Sequence, residues 1–528
     1  MGCSAKRVCI VGLDGVGLNN ILNFLNAAAL NGVSSIINKG YVSSFISLPP
    51  YTPSAWTSIF TGVNPGKHGV YCFFKVSRSD GFKVSPTSSY DVMYPRIFEM
   101  LNMYNLRSVV INAPLVYPVH GLVGLENLVV VSDWASPKQF IHPKQYEEKY
   151  REYLIEPPHE WWIVRNNVKS YVRFVEVFLG KRIDLYYELL EGEEFNLFIV
   201  VFSELDWLMH RIPDIVAGKQ LNLAYKVLSL IDRFIRRARE ICDLVILVSD
   251  HGFKTSRIVL SVNSILASND MITFKSRFNI GKLLRLKVQN VALFTNDDTR
   301  GFSSIPSIIF RNLFTLVKKI VMNHSSCRLG SIISVLTNID YPRSKAFMIE
   351  PDSWGIYVDG GYLDVVRRIF SNIRFVRGVL RKEEVFWGPY VEGAPDLILI
   401  PQDYVSFDVL MRTEPMYLSC TGDHEPHALV AFHGDDVLPT NSVGNEIRAS
   451  IYDLVPTILA YMGLPIPGNT DGKPLIDVFT VELPNTNKKA NYSQKFKLLR
   501  KLQKVVAKRL QPVTELNTLM HIPYLNPY

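Results

Sequence analysis

The stretch "NLFIVVFSELDWLMH", residues 196–210, changes character halfway along. Its first half, Leu197 to Phe202, is apolar without alternation and far too short to cross a bilayer. That is the pattern of a strand buried on both faces of a parallel sheet. Its second half carries Asp206 and His210 at i and i+4, so on a helical turn both side chains share one face. A buried strand that runs straight into an acid and a histidine predicts a ligand crevice at the carboxyl end of an open α/β sheet.

Working outward, the same kind of run recurs at "RVCIVGL" (7–13), "RSVVIN" (107–112), "DLVILVS" (243–249) and "DLILIP" (396–401). Between these runs lie helical patterns, of which "LNLAYKVLSLIDRFIRRAREI" (221–241) is the clearest, with apolar residues at three- and four-residue spacing. Alternating strand and helix predicts an α/β fold with a doubly wound, mostly parallel sheet flanked by helices. Residues 266–340 interrupt the rhythm with Phe, Leu and basic residues and weak strand signals, and are expected to form an inserted helical cap. The sheet pattern resumes at "SKAFMIE" and "WGIYVD" (344–358), and "SIYDLVPTILAYMGLPIP" (450–467) reads as a helix stopped by Gly463 and the prolines beyond it. The expected organisation is a discontinuous core, residues 1–265 and 341–480, with the cap at 266–340 and a basic C-terminal tail at 484–528.

Composition narrows the class. The 528 residues are 48% hydrophobic and 20% charged, enough apolar content for one large globular core with additions. Six cysteines (Cys3, Cys9, Cys72, Cys242, Cys327, Cys420) form no CxxC pair, which argues against both a disulfide framework and a cysteine zinc site. With no run near the ~20 apolar residues of a membrane span and no secretory signal pattern, a cytoplasmic location is expected. A net charge of +8 is mild for this length, and no nucleic-acid-binding module is visible.

Three of the buried runs end in aspartate: "VGLDG" gives Asp14, "VFSELD" gives Asp206, and "LVSDHG" gives Asp250 followed by His251. A single aspartate after a strand is commonly a helix cap. Three, two of them accompanied by histidine, suggest a metal centre instead. "CTGDHEPHALVAFHG" adds His424, His427 and His433 in what reads as a glycine-containing loop. Carboxylate and imidazole without thiolate suit zinc, manganese or iron in a catalytic site.

A last segment, "LPPYTPSAWTSIFTGVNPGKHGV" (48–70), surrounds Thr52 with prolines just ahead of a helix-like run that closes on Thr61–Gly62. Proline fixes its own φ and pushes its predecessor toward extended geometry, so Tyr51 and Thr52 are expected in a stiff, non-helical segment before that helix.

Taken in order, "VGLDG", "PPYTPSAWTSIFTGVNPGKHG", "DWLMH", "SDHGF", "TGDHEPH" and "DLVPTILAYMGLPIPGNTDGKPL" resemble the alkaline phosphatase superfamily, in its type I phosphodiesterase and nucleotide pyrophosphatase branch. The resemblance covers the core and leaves out the insert and the tail. It implies an alkaline-phosphatase-like fold and a metal-dependent hydrolase of phosphate esters, a phosphodiesterase working through a phospho-threonine intermediate. Thr52 matches the nucleophile, with Ser54 as its rival. Asp14, Asp250 and His251 match the ligands of the metal that binds Thr52, and Asp206, His210 and His424 match those of the second. His427 competes with His424 for that place, and His433 is left to the surface. Two divalent ions are implied, zinc first, with manganese or iron accepted by the same donors. Such ions lower the pKa of a hydroxyl and clamp an in-line displacement. A phosphomonoesterase, a phosphomutase of the same superfamily and a non-catalytic binding relative are the alternatives.

One departure from the branch bears on substrate. Where nucleotide pyrophosphatases place an asparagine a few residues after "HG", this chain reads "HGVYCFF", with Phe73 at the matching position. Trp56, Phe73 and Phe74 are therefore candidates for the walls of an apolar or stacking pocket for a small phosphate ester, with core packing expected for at least two of the three. The tail supplies the remaining partner expectation. From Lys488 to Arg509 it has basic residues and no acid, with Phe496, Leu499, Leu502, Val506 and Leu510 near helical spacing. It is read either as a terminal helix packed on the core or as a weak contact for an anionic membrane or polyanion.

Overall fold

A computed structural model describes residues 6–136, 139–150, 153, 167–275, 339–412, 414–440 and 449–510, with the backbone alone for 503–510. Eight strands form the central sheet, in the order Tyr41–Ile46, His427–His433, Leu244–Val248, Val8–Leu13, Leu197–Phe202, Ser108–Ile111, Leu128–Val131 and Ile141–His142. The five from Leu244–Val248 to Leu128–Val131 are mutually parallel. His427–His433 and Ile141–His142 pair antiparallel on either side of them.

The lack of alternation in the strands has a direct cause. Along Val8–Leu13, Cys9, Val11 and Leu13 enter one core, beneath helices Val168–Gly192 and Leu221–Ile241, while Val8 and Ile10 enter the other. That second core contains helices Thr52–Thr61 and Leu454–Tyr461. With both faces covered, every position of the strand is selected to be apolar.

The run at 396–401 departs from the sequence reading. Its strand, Leu397–Pro401, belongs to a separate four-stranded sheet ordered Ala346–Phe347, Gly355–Val358, Leu397–Pro401 and Val376–Arg381. All its pairings are antiparallel. It packs into a third core, which also takes in Tyr51, Tyr71 and Cys72. A short apolar run is equally buried in either kind of sheet, so the run alone does not distinguish them. The expected insert at 266–340 lies outside the described residues, apart from 266–275 and 339–340.

"CTGDHEPHALVAFHG" is a second correction. It forms two strands, Met416–Glu425 and His427–His433, rather than a loop. The first pairs with Gly252–Ser261 in a three-stranded sheet and the second with the central sheet. In the tail, helix Tyr492–Leu510 seats Tyr492, Phe496 and Arg500, while Leu502 of the expected stripe is exposed. Val506 and Leu510 lie outside the described side chains. Among the described residues no helix is long and apolar enough to cross a membrane.

Candidate active site at the carboxyl edge of the sheet

Register explains why residues distant in sequence meet. Strands Leu244–Val248, Val8–Leu13 and Leu197–Phe202 are parallel neighbours, with Gly12 opposite Val248 and Leu13 opposite Phe202. They end together, so Asp14 emerges between Asp250 on one side and Asp206 on the other. All three aspartates are buried. Thr52 opens the helix Thr52–Thr61 at its first position, with extended Tyr51 as its cap residue and Pro53 in the first turn. The expectation that Thr52 itself precedes the helix is thus corrected by one residue, because proline is tolerated in the first turn.

The three imidazoles are oriented alike. His251 Nδ1 donates to Gly252 O at 3.1 Å, His424 Nδ1 to Pro50 O at 2.8 Å, and His210 Nδ1 to Gly422 O at 3.3 Å. Each backbone carbonyl fixes the proton on Nδ1 and leaves the Nε2 lone pair facing inward, as in metal-binding histidines. His251 Nε2 lies 3.5 Å from Thr52 Oγ1, 3.2 Å from Asp250 Oδ2 and 3.8 Å from Asp14 Oδ1. His210 Nε2 and His424 Nε2 are 3.0 Å apart, and Asp206 Oδ1 is 3.6 and 3.4 Å from them. Two lone pairs at that distance repel unless a cation or a proton stands between them.

The same conclusion follows from the acids. Asp14 Oδ1, Asp206 Oδ1 and Asp250 Oδ2 are buried without a hydrogen-bond partner among the described residues. A buried carboxylate oxygen left without a partner is costly. Burial, and then the neighbouring Asp250 and Asp206, push the Asp14 carboxyl well above its usual range. Burial takes Asp250 to about 7. Burial, then His424, holds His251 well below an ordinary imidazole. For His424 burial acts downward, but Asp352, Asp206 and Asp423 outweigh it and raise the ring to about 10. Donor atoms of Asp206, His210 and His424 lie within 4.8 Å of one another, as do those of Asp14, Asp206 and His251. Orphaned carboxylate oxygens and converging Nε2 atoms fit hard-to-borderline divalent cations.

One glycine makes the second group possible. A Cβ on Gly422 would lie 2.0 Å from Met209 O, so only glycine lets strand Met416–Glu425 press its backbone onto helix Glu204–Arg211. That approach carries His424 to His210. The remaining candidates are placed apart. His427 is at the start of its strand, 3.8 Å from Glu425, and His433 at the opposite end accepts from Arg239 at 3.2 Å. Ser54 Oγ is committed to Tyr51 O at 3.0 Å.

The three aromatic candidates separate. Trp56 is fully buried beneath the sheet, stacked on Phe60 at 5.5 Å, and occupies the space where Gly12 lacks a side chain. It is core and not a pocket wall. Phe74 packs with Val76, Phe347 and Tyr357 in a small satellite cluster, again scaffolding. Phe73 does flank the site. Its ring meets Tyr51 edge-on at 5.8 Å and Trp134 at 5.5 Å, and Trp134 meets Trp207 at 6.2 Å. An aromatic row therefore runs from the residue before Thr52 to the residue after Asp206. Sequence reasoning missed Trp134, which no motif marks, and Glu350, whose Oε1 accepts from Tyr51 O–H at 2.7 Å.

Comparison with known proteins gives a family and a fold. The family model for type I phosphodiesterase / nucleotide pyrophosphatase matches residues 8–368. Phosphonoacetate hydrolase from Sinorhizobium meliloti 1021, solved in complex with phosphonoformate, superposes with a TM-score of 0.52 at 15% identity, over 85% of this chain and 94% of its own. Human ectonucleotide pyrophosphatase / phosphodiesterase 5 does so with a TM-score of 0.51 at 12% identity, over 90% of this chain and 100% of its own. At these identities the likeness is one of fold. No curated protein matches the sequence.

Proposed function

The chain belongs to the type I phosphodiesterase / nucleotide pyrophosphatase family of phosphoester hydrolases, and on that premise we propose that it cleaves phosphodiesters with Thr52 as nucleophile. The observation that carries this reading is the convergence of Thr52 Oγ1 with three inward Nε2 atoms and three orphaned carboxylate oxygens. Asp14, Asp250 and His251, together with Thr52, would hold one divalent ion. Asp206, His210 and His424 would hold the other. Bound there, two such ions, zinc first and manganese or iron by the same donors, supply Lewis-acid stabilisation of charge developing on oxygen.

The protein's own part is positioning. The helix start at Thr52 holds Oγ1 at the mouth of the cluster, and a helix N-terminus favours an anionic phosphoryl group. In the first step Thr52 Oγ loses its proton to solvent, the Oγ–P bond forms and the bond to the leaving oxygen breaks, with the electron pair leaving on that oxygen. Water then attacks phosphorus, the Oγ–P bond breaks, and Thr52 is regenerated. Tyr51, clasped by Glu350, keeps the residue before the nucleophile extended. Phe73, at the position of the family's asparagine, and the row Tyr51–Phe73–Trp134–Trp207 favour a diester with an apolar or aromatic substituent.

Bis-p-nitrophenyl phosphate and p-nitrophenyl phosphate, assayed with and without chelator, test the proposal. Chelator-sensitive turnover favouring the diester is expected. Turnover indifferent to chelator, or confined to the monoester, overturns it.

A further inference from the structure

Helix Tyr492–Leu510 carries a surface unrelated to the sheet edge. Its inner side is seated: Tyr492 and Phe496 are buried, and Arg500 Nη2 donates to Ser89 O at 2.7 Å and Val92 O at 3.0 Å. With that side fixed, the opposite side must face outward. It shows Leu498 at 58% and Leu502 at 55% exposure, at i and i+4, among exposed Lys497 and Lys501, while Lys495 Nζ donates to Met103 O at 3.2 Å.

Further exposed apolar side chains border the seated side of the helix. Exposed Tyr104 has its ring 5.9 Å from that of Tyr492. Exposed Tyr90 lies 6.0 Å from the Arg500 guanidinium, and exposed Met93 follows Val92, which Arg500 holds. Sixteen large hydrophobics are exposed among the described residues, and these five gather on or beside one helix. No aspartate or glutamate occurs from Leu483 to Thr514, so the helix itself is of one sign.

We propose that this face docks the protein on an anionic lipid bilayer, with Leu498 and Leu502 entering the headgroup boundary and Lys497 and Lys501 against lipid phosphates. Exposed leucines flanked by lysine on an amphipathic helix, with tyrosines at the margin, match the two halves of a lipid interface. Lysines near an anionic surface add attraction that salt screens. A nucleic acid would use the lysines but gain nothing from Leu498 and Leu502. The inference is independent of the hydrolytic reading, since none of these residues belongs to the cluster around Thr52.

The test is co-sedimentation of the full chain with phosphatidylglycerol-containing vesicles and with phosphatidylcholine vesicles, at low and high salt. Two surface variants accompany it, L498S/L502S and K497E/K501E, each checked for an unchanged melting temperature. The wild type is expected to pellet with the anionic vesicles alone and to be released by salt. Each double variant is expected to bind at least about tenfold more weakly. Failure to pellet with anionic vesicles, or pelleting of L498S/L502S equal to wild type, overturns the proposal. So does tighter binding to an oligonucleotide that the leucine changes leave untouched.

Discussion

The two halves of the candidate site are built by different means. Asp14, Asp250 and His251 stand at the ends of adjacent parallel strands, so hydrogen-bond register alone sets their spacing. Asp206 and His210 sit on a helix, and His424 reaches them from a strand that crosses that helix at Gly422. His251 and His424 join the halves, stacked at 3.7 Å, each beside the antiparallel pair Gly252–Ser261 and Met416–Glu425. The first half is as rigid as the sheet. The second depends on one close approach of backbone to backbone, and is the half that a remote change can dismantle.

Breaking the rigid half has the largest expected effect. D14A removes a carboxylate from the sheet edge, and kcat for the diester is expected to fall at least about 10³-fold with the melting temperature little changed. Relief of the repulsion among the three buried acids works in favour of the fold. A fall below tenfold, measured at saturating metal, would show that Asp14 is outside the chemistry.

Next comes the adaptable half. G422V places carbon atoms against Met209 O and must displace strand Met416–Glu425. The expected result is loss of one of two metal-binding events by calorimetry and about 10²-fold loss of activity, the scale of a displacement near 1 Å. Equal loss of both binding events would mean that the halves are not separable.

The Tyr51–Glu350 hydrogen bond sharpens the comparison through pH. Burial raises the Glu350 carboxyl from 4.5 to about 7, against the hydrogen bonds from Tyr51 and Phe74 that oppose the shift. A raised folded-state pKa means that stabilisation is complete below about 4.5 and is lost as pH rises through about 7. Urea unfolding of wild type relative to E350Q is therefore expected to show a difference that declines across that window, by about 3 kcal/mol at most. A flat difference would remove Glu350 from the ionisation balance.

The smallest effect concerns substrate. F73A opens the aromatic row beside Thr52, and KM for bis-p-nitrophenyl phosphate is expected to rise about tenfold with kcat nearly constant, as for a contact made equally in ground and transition states. An unchanged KM would make Phe73 packing alone.

How far the sequence reveals this molecule differs between the same two halves. The central strands are legible because burial on both faces leaves uninterrupted apolar runs, and Asp14, Asp250 and His251 follow them directly. Helix Leu221–Ile241 is legible for the complementary reason, a single apolar stripe. Leu397–Pro401 was assigned to the same parallel arrangement because its apolar run carries no sign of pairing direction. His424 is legible through its motif, but its strand reads as a loop because glycine and aspartate have low strand propensity and tertiary pairing overrides it. Trp56 looked like a wall because of its closeness to Thr52 in sequence. On a helix, four residues keep the face but carry the side chain about 6 Å along the axis, here away from the cluster to Gly12. Glu350 and Trp134 were invisible because what marks them is contact across the fold, with Tyr51 and with Phe73.

The central claim is that Thr52 attacks phosphorus from within a metal cluster that other residues can still assemble. Its most direct test is T52A, with bound metal quantified on the same sample used for bis-p-nitrophenyl phosphate turnover. The account predicts that activity falls at least about 10³-fold while about two divalent ions per chain remain bound. Turnover that persists near the wild-type rate, with the ions in place, would contradict it and assign the attack to another group.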